Sequence, residues 1–156
     1  MPEYVARLAS PDATAEFGHA LGSLLQAGDL VLLHGDLGAG KTTLTRSLAE
    51  GLGVRGPITS PTFVLARTHP SLADGPSLVH VDAYRLAGDA AALDDLDLDA
   101  SLDESVTVIE WGAGMAEGLS ADRLEISLTA LPDESREVRL VPVGERFESL
   151  VSTLPR

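Results

Sequence analysis

The sequence predicts an α/β fold in which a mixed, mostly parallel sheet is flanked by helices and extended at its C-terminal end by antiparallel strands. Three observations carry that expectation. Leu30-Val31-Leu32-Leu33, Leu78-Val79-His80-Val81 and Val106-Thr107-Val108-Ile109 are short apolar runs of the kind found in buried strands. Stretches with helical periodicity flank the first of them. The last part of the chain instead alternates apolar and polar residues, as half-exposed hairpin strands do.

In chain order, Tyr4 to Leu8 alternate weakly and fit an edge strand. Ser10-Pro11 reads as an N-cap followed by proline at the first helical position. Phe17, Ala20, Leu21, Leu24 and Leu25 then fall on one helical stripe, in a helix expected to end near Gly28. The run from Leu30 to Leu33 leads straight into a glycine-rich loop. After that loop Leu44, Leu48 and Leu52 recur every fourth residue, and Gly53 is placed as a C-cap. Gly56 to Pro61 forms a loop before a strand expected at Phe63 to Arg67, and His69 to Ser77 forms another. The strands at 78–81 and 106–109 each end in an acid, Asp82 and Glu110. Leu124 to Leu128 and Glu137 to Leu140 are the hairpin strands, joined by a turn at Pro132-Asp133-Glu134. Phe147, Leu150, Val151 and Leu154 mark a short final helix. At 156 residues and 44% hydrophobic side chains, the whole of 1–156 is expected to form one domain with its own core.

The glycine loop carries the chemistry. Gly35-Asp36-Leu37-Gly38-Ala39-Gly40-Lys41-Thr42 matches G-x-x-x-x-G-K-[ST], the Walker A pattern, in strand-to-helix context. Its glycines let successive N–H groups turn toward phosphate oxygens, and the following helix adds the positive end of its dipole. Lys41 is the only lysine; the other ten cations are arginines. A compact ammonium on a thin stem suits a phosphate cradle, where a planar guanidinium does not fit the same space. The expected fold is therefore P-loop NTPase-like, with Lys41 on the terminal phosphates and the Thr42 hydroxyl on Mg2+.

Magnesium in such a site also needs an acid from a neighbouring strand end. Asp82 and Glu110 both emerge at the carboxyl edge of the sheet, where ligands of these folds sit. One of them holds the metal or its water, and the other orients or deprotonates the attacking water; the sequence leaves the order open. Thr62, after Ser60-Pro61, fits a switch threonine that senses the terminal phosphate through the metal. Trp111, the only tryptophan, is either a core or rim aromatic or a surface for stacking the nucleotide.

Composition narrows the alternatives. A formal charge of -13 and a pI near 4.5 argue against a broad basic surface for nucleic acid. With no cysteine, disulfides, thiol catalysis and Cys-ligated zinc are excluded. No apolar stretch approaches the roughly 20 residues needed to span a bilayer, and a soluble, cytoplasmic protein is expected. The chain has no asparagine, so the Asn-Lys-x-Asp element that reads guanine is missing and ATP is the expected nucleotide. Its one glutamine, Gln26, lies in the first helix, far from any water-positioning role in the catalytic loops. A small-molecule kinase using the same cradle is the alternative, but no arginine cluster suggests an acceptor lid.

Together, Gly35 to Thr43, Ser60-Pro61-Thr62-Phe63, His80-Val81-Asp82-Ala83-Tyr84-Arg85-Leu86 and Ile109-Glu110-Trp111 closely resemble the bacterial TsaE (YjeE) family, in order and over roughly Thr14 to Arg139. The resemblance implies a small ATPase required for threonylcarbamoylation of the adenosine next to the anticodon in tRNAs reading codons that begin with A. It implies action on a TsaD–TsaB transferase complex, with ATP hydrolysis allowing that complex to turn over and tRNA contact left mainly to those subunits. By position, Thr42, Asp82 and Glu110 match the family's magnesium site, and Asp36, Leu37, Gly38, Ala39, Gly40, Lys41, Thr42 and Thr43 its phosphate wrap. Thr14 matches a threonine near the adenine pocket, and Arg136 a late-chain nucleotide contact. Ala83 replaces a commonly bulkier residue.

Overall fold

The computed structural model describes residues 3–35, 39–54, 66–72, 75–82, 102–110 and 120–154. Its elements are β1 (Tyr4–Leu8), α1 (Pro11–Leu24), β2 (Leu30–His34), α2 (Lys41–Leu52), β3 (Ala66–His69), β4 (Ser77–Asp82), β5 (Ser105–Glu110), β6 (Arg123–Ala130), β7 (Arg136–Val143) and α3, the helix Glu145–Ser152. The strands form one sheet in the order β1-β7-β6-β2-β5-β4-β3. Its centre is parallel: β2 pairs with both β5 and β6, and β5 with β4. The flanks are antiparallel, β3 on β4 at one side and β7 then β1 at the other. The expected mixed sheet with its antiparallel C-terminal extension is what the chain forms.

Burial follows the alternation of each strand. Val31 and Leu33, Val106 and Val108, and Leu124, Ile126 and Leu128 share a face and join one core with Leu21, Leu25, Leu44, Leu48 and the α3 residues Phe147, Leu150 and Val151. Leu30, Leu32, Val81 and Ile109 on the opposite face are fully buried too, which is why the central strands read as continuous apolar runs. No helix among the described residues is long and apolar enough to cross a membrane.

Helix α1 starts as its sequence predicts: Ser10 is extended at φ -152 and accepts a hydrogen bond from the Ala13 N–H, with Pro11 opening the helix and Asp12 in its first turn. It stops at Leu24 rather than near Gly28. Leu25 is extended yet buried, so the apolar stripe runs one residue past the helix. The segment beyond is closed by Asp29, whose carboxylate accepts from the Gln26 N–H at 2.7 Å and from Arg146 at 2.8 Å. Strand β3 likewise runs to His69, two residues past the expected Arg67; His69 is buried and pairs with Leu78. Positions 63–65 of the expected strand lie outside the described residues.

Asp29 is 5% exposed, so its charge depends on Arg146, which also donates to the Leu24 carbonyl. Removing one partner of a buried pair leaves the other uncompensated. Arg146→Met is expected to lower unfolding free energy by about 2 kcal/mol, below the range for fully buried pairs because Arg146 keeps 32% of its side-chain surface. Urea denaturation measures this, and an unchanged midpoint would show that Asp29 does not need the guanidinium.

Helices α1 and α2 approach backbone to backbone. A Cβ at Gly22 would lie 2.1 Å from the Leu48 carbonyl oxygen, one at Gly51 would lie 2.1 Å from that of His19, and one at Gly18 would lie 2.6 Å from Ser47 Cβ. Only hydrogen fits at these crossings, and their closeness sets where the N-terminus of α2 sits over the sheet.

Candidate functional site

Strand β2 ends at His34, and at Gly35, the next residue, a Cβ would meet the Leu128 carbonyl oxygen at 2.8 Å. Gly40 is left-handed at φ 102 and caps α2 without a side chain, a conformation that favours glycine. Lys41 is then the first residue of α2. The two long helices differ in a telling way. α1 is capped by Ser10 and carries Asp12 in its first turn, while α2 has neither a capping side chain nor an acid there. The dipole of α2 therefore favours an anion at this end, with no acidic side chain of its own first turn in the way. Lys41 is 6% exposed, and its ammonium donates to the Gly35 carbonyl, so the side chain lies within its own loop. Thr42 and Thr43 are half-buried in the first turn of α2.

Parallel pairing brings the two acids together. Asp82, the last residue of β4, is the register partner of Glu110, the last residue of β5, and Glu110 is also paired with Leu33 near the end of β2. Both acids therefore stand at the carboxyl edge from which the loop to Lys41 departs. They differ in environment: Asp82 is half-buried, whereas Glu110 is 3% exposed and accepts a hydrogen bond from His80 Nε2.

A cleft open to solvent adjoins the start of α2. Its walls are Ser10, Pro11 and Thr14 from the beginning of α1, Gly40 and Thr43, and Glu134 and Arg136 from the β6–β7 turn. Thr14 and Arg136, far apart in sequence, thus share one cavity with the end of the glycine loop. Arg136 also bonds that loop directly, donating from Nε to the Ala39 carbonyl at 2.8 Å and from Nη1 to the carbonyls of Glu134 and Ser135. Glu134 turns the hairpin at φ 71, the one positive value among the described non-glycine residues. Asp133 braces the turn by accepting from the Ser135 N–H at 3.1 Å.

Of the residues singled out by sequence, Thr14, Ala39, Gly40, Lys41, Thr42, Thr43, Asp82, Glu110 and Arg136 are placed around this edge and cleft. Asp36, Leu37, Gly38, Thr62 and Trp111 lie outside the described residues. Sequence reasoning missed Ser10 and Glu134 as cleft walls, which only the folded hairpin brings into place. It also missed His80, although strand alternation puts positions 80 and 82 on one face.

Sequence and structure comparisons show the family and the fold. The family model described as threonylcarbamoyl adenosine biosynthesis protein TsaE matches residues 8–138. A tRNA threonylcarbamoyladenosine biosynthesis protein TsaE from Streptomyces coelicolor is 62% identical over 136 residues, covering 85% of this chain and 92% of the relative. The protein of that name from Bacillus subtilis is 36% identical, covering 96% and 92%. The crystal structure of Bacillus subtilis YdiB superposes with a TM-score of 0.80 at 31% identity, covering 97% of this chain and 93% of that one. The fold is P-loop NTPase-like, and by both sequence and structure the chain belongs to the TsaE family of threonylcarbamoyl adenosine biosynthesis proteins.

Proposed function

We propose that the chain binds Mg2+-ATP and hydrolyses it as the ATPase of tRNA threonylcarbamoylation, resetting a TsaD–TsaB transferase complex without itself transferring the carbamoyl group. The observation that carries this reading is the convergence of Lys41, on an uncapped helix start, with the register pair Asp82 and Glu110 at one sheet edge. The residues fit both ligands. A left-handed Gly40 and a half-buried Thr43 leave room and donors for phosphate oxygens, and the cleft between Thr14 and Arg136 adjoins them for the nucleoside. No group of three or more His, Asp or Glu side chains among the described residues holds a metal unaided. That suits Mg2+, which is typically held by one or two carboxylates together with substrate phosphates.

In this reading the backbone from Asp36 to Thr43 wraps the phosphates and Lys41 moves its donors from Gly35 to the terminal phosphoryl group. Bound Mg2+ would neutralise charge on the phosphate oxygens. Thr42 and one of the acids, Asp82 or Glu110, would hold it; the other acid orients the attacking water and accepts its proton. Thr62 and Trp111 complete the site as phosphate sensor and nucleotide contact. Arg136 shapes the nucleoside end through its bond to Ala39. Hydrolysis is expected to be slow in the chain alone and faster with the partner complex, since a transition-state arginine, supplied in cis from Arg67 or Arg85 or by a partner, is worth about 10³ to 10⁵ in rate.

Reconstitution tests this. With TsaD, TsaB, tRNA and a threonylcarbamoyl donor, modified tRNA should exceed one equivalent per TsaD only when this chain and ATP are both present. Glu110→Gln should still bind ATP but fail to support those further turnovers. Equal multiple-turnover yield without the chain would remove the proposal.

A further inference from the structure

His80 occupies the middle of β4 and is fully buried. It pairs with Val108, so it projects from the same face as Leu78, Asp82, Val106, Val108 and Glu110. Its inner neighbours there, Leu78, Val106 and Val108, are apolar and have no accessible surface. Packing alone would be met by another valine or leucine. Instead the imidazole brings one donor to this layer, and Glu110 Oε2 accepts it. A carboxylate only accepts, so Nε2 carries the hydrogen. Nδ1 has no partner among the described residues and is best left as a lone pair, since a buried unpaired N–H is the costlier orphan. The ring is therefore set in one tautomer by a single bond, and that bond is to Glu110.

We propose that His80 is a positioning residue for Glu110: its Nε2–H holds Oε2 in the apolar layer, fixing the rotation of the carboxylate so that Oε1 is presented at the sheet edge beside Asp82. This rests on the proposed function and, within it, on Glu110 rather than Asp82 being the acid that holds the metal. Burying Glu110 without this donor would be unfavourable, and a carboxylate free to turn would present its oxygens in several orientations. The arrangement matches the general pattern in which a hydrogen-bonded neighbour orients a metal-site ligand, with losses of about 10- to 100-fold when it is removed.

Two near-isosteric variants isolate the donor. In His80→Gln the amide nitrogen reaches about as far as Nε2, while in His80→Asn it stops at the position of Nδ1 and cannot reach Glu110. Mn2+ affinity would be titrated by electron paramagnetic resonance in the presence of a non-hydrolysable ATP analogue, alongside metal-free nucleotide affinity and thermal melting. H80N is expected to weaken Mn2+ binding about tenfold with metal-free nucleotide affinity unchanged, and H80Q to restore it to within about threefold. The proposal is overturned if H80N binds Mn2+ like the parent, or if folded H80Q is as weak as H80N, because the loss would then come from packing. If H80N does not fold, His80→Met replaces it as the donor-free variant of similar length. Glu110→Gln is measured in parallel: unchanged Mn2+ affinity there removes the metal-holding role of Glu110 and this proposal with it, leaving Asp82 as the metal-holding acid of the proposed ATPase, whereas a loss there with none in H80N removes only the role of His80.

Discussion

Replacing Lys41 by arginine is expected to lower ATP turnover in the reconstituted system by about 10² to 10³, the usual cost of losing one positioned donor to a developing charge, even though the positive charge is kept. The geometry makes this the more informative substitution than alanine. Lys41 is nearly buried, its ammonium lies against the Gly35 carbonyl, and Ala39 and Gly35 are themselves packed against Arg136 and Leu128. A guanidinium is wider and planar, and its charge is spread over a fork instead of a point. Seating it would push Gly35 outward or leave the group displaced from the place proposed for the terminal phosphate. Turnover at saturating ATP is the measurement, with nucleotide affinity as companion. If K41R turns over within about tenfold of the parent, charge alone suffices and the close fit of the loop has no catalytic meaning.

The second large effect is on stability. Gly22→Ala should destabilise the protein by about 3 kcal/mol, with a fall in Tm of roughly 6 to 12 °C. Helix propensity alone has the opposite sign, since alanine is favoured over glycine inside a helix by about 1 kcal/mol. Sterics decide, because the added methyl would sit 2.1 Å from the Leu48 carbonyl oxygen and 2.9 Å from its carbon, and a neighbouring backbone cannot rotate aside. The helices must part, loosening Leu21 and Leu25 from Leu44 and Leu48 and shifting α2, which carries Lys41. Gly53→Ala is the control: at φ 84 with nothing within 4 Å of the new Cβ, it should cost only about 1 kcal/mol from backbone strain. A G22A protein that melts at or above the parent would sink the claim of backbone contact.

Local chemistry was legible and pairing was not. Ser10-Pro11 announced the start of α1, Gly53 the end of α2, and Pro132 to Glu134 the hairpin, because each of these devices acts within a few residues. The end of α1 was misplaced because Leu25 continues the apolar stripe after the backbone has left the helix; burial and helicity part company there. Strand order escaped for a different reason. Nothing in Leu124 to Leu128 says that one edge will join β2 in parallel and the other β7 in antiparallel fashion. The site divides along the same line. Lys41 and the two strand-end acids announce themselves by motif and position, while the His80–Glu110 bond exists only through the β4–β5 register, and the meeting of Thr14 with Arg136 only through the closure of the hairpin.

That closure bears on how the chain is made. The glycine loop leaves the ribosome before the strands that surround it, for β2 finds its parallel neighbours only at 105–110 and 123–130, and β1 pairs Tyr4 with Leu140. The loop is braced by Arg136, which is synthesised later still. Such long-range pairing folds slowly compared with helical chains of similar size, and until it is done β2 offers bare strand edges to other nascent chains. A growing chain therefore holds the glycine motif long before it can close the cleft, and the proposed capture of a nucleotide belongs to the finished fold only.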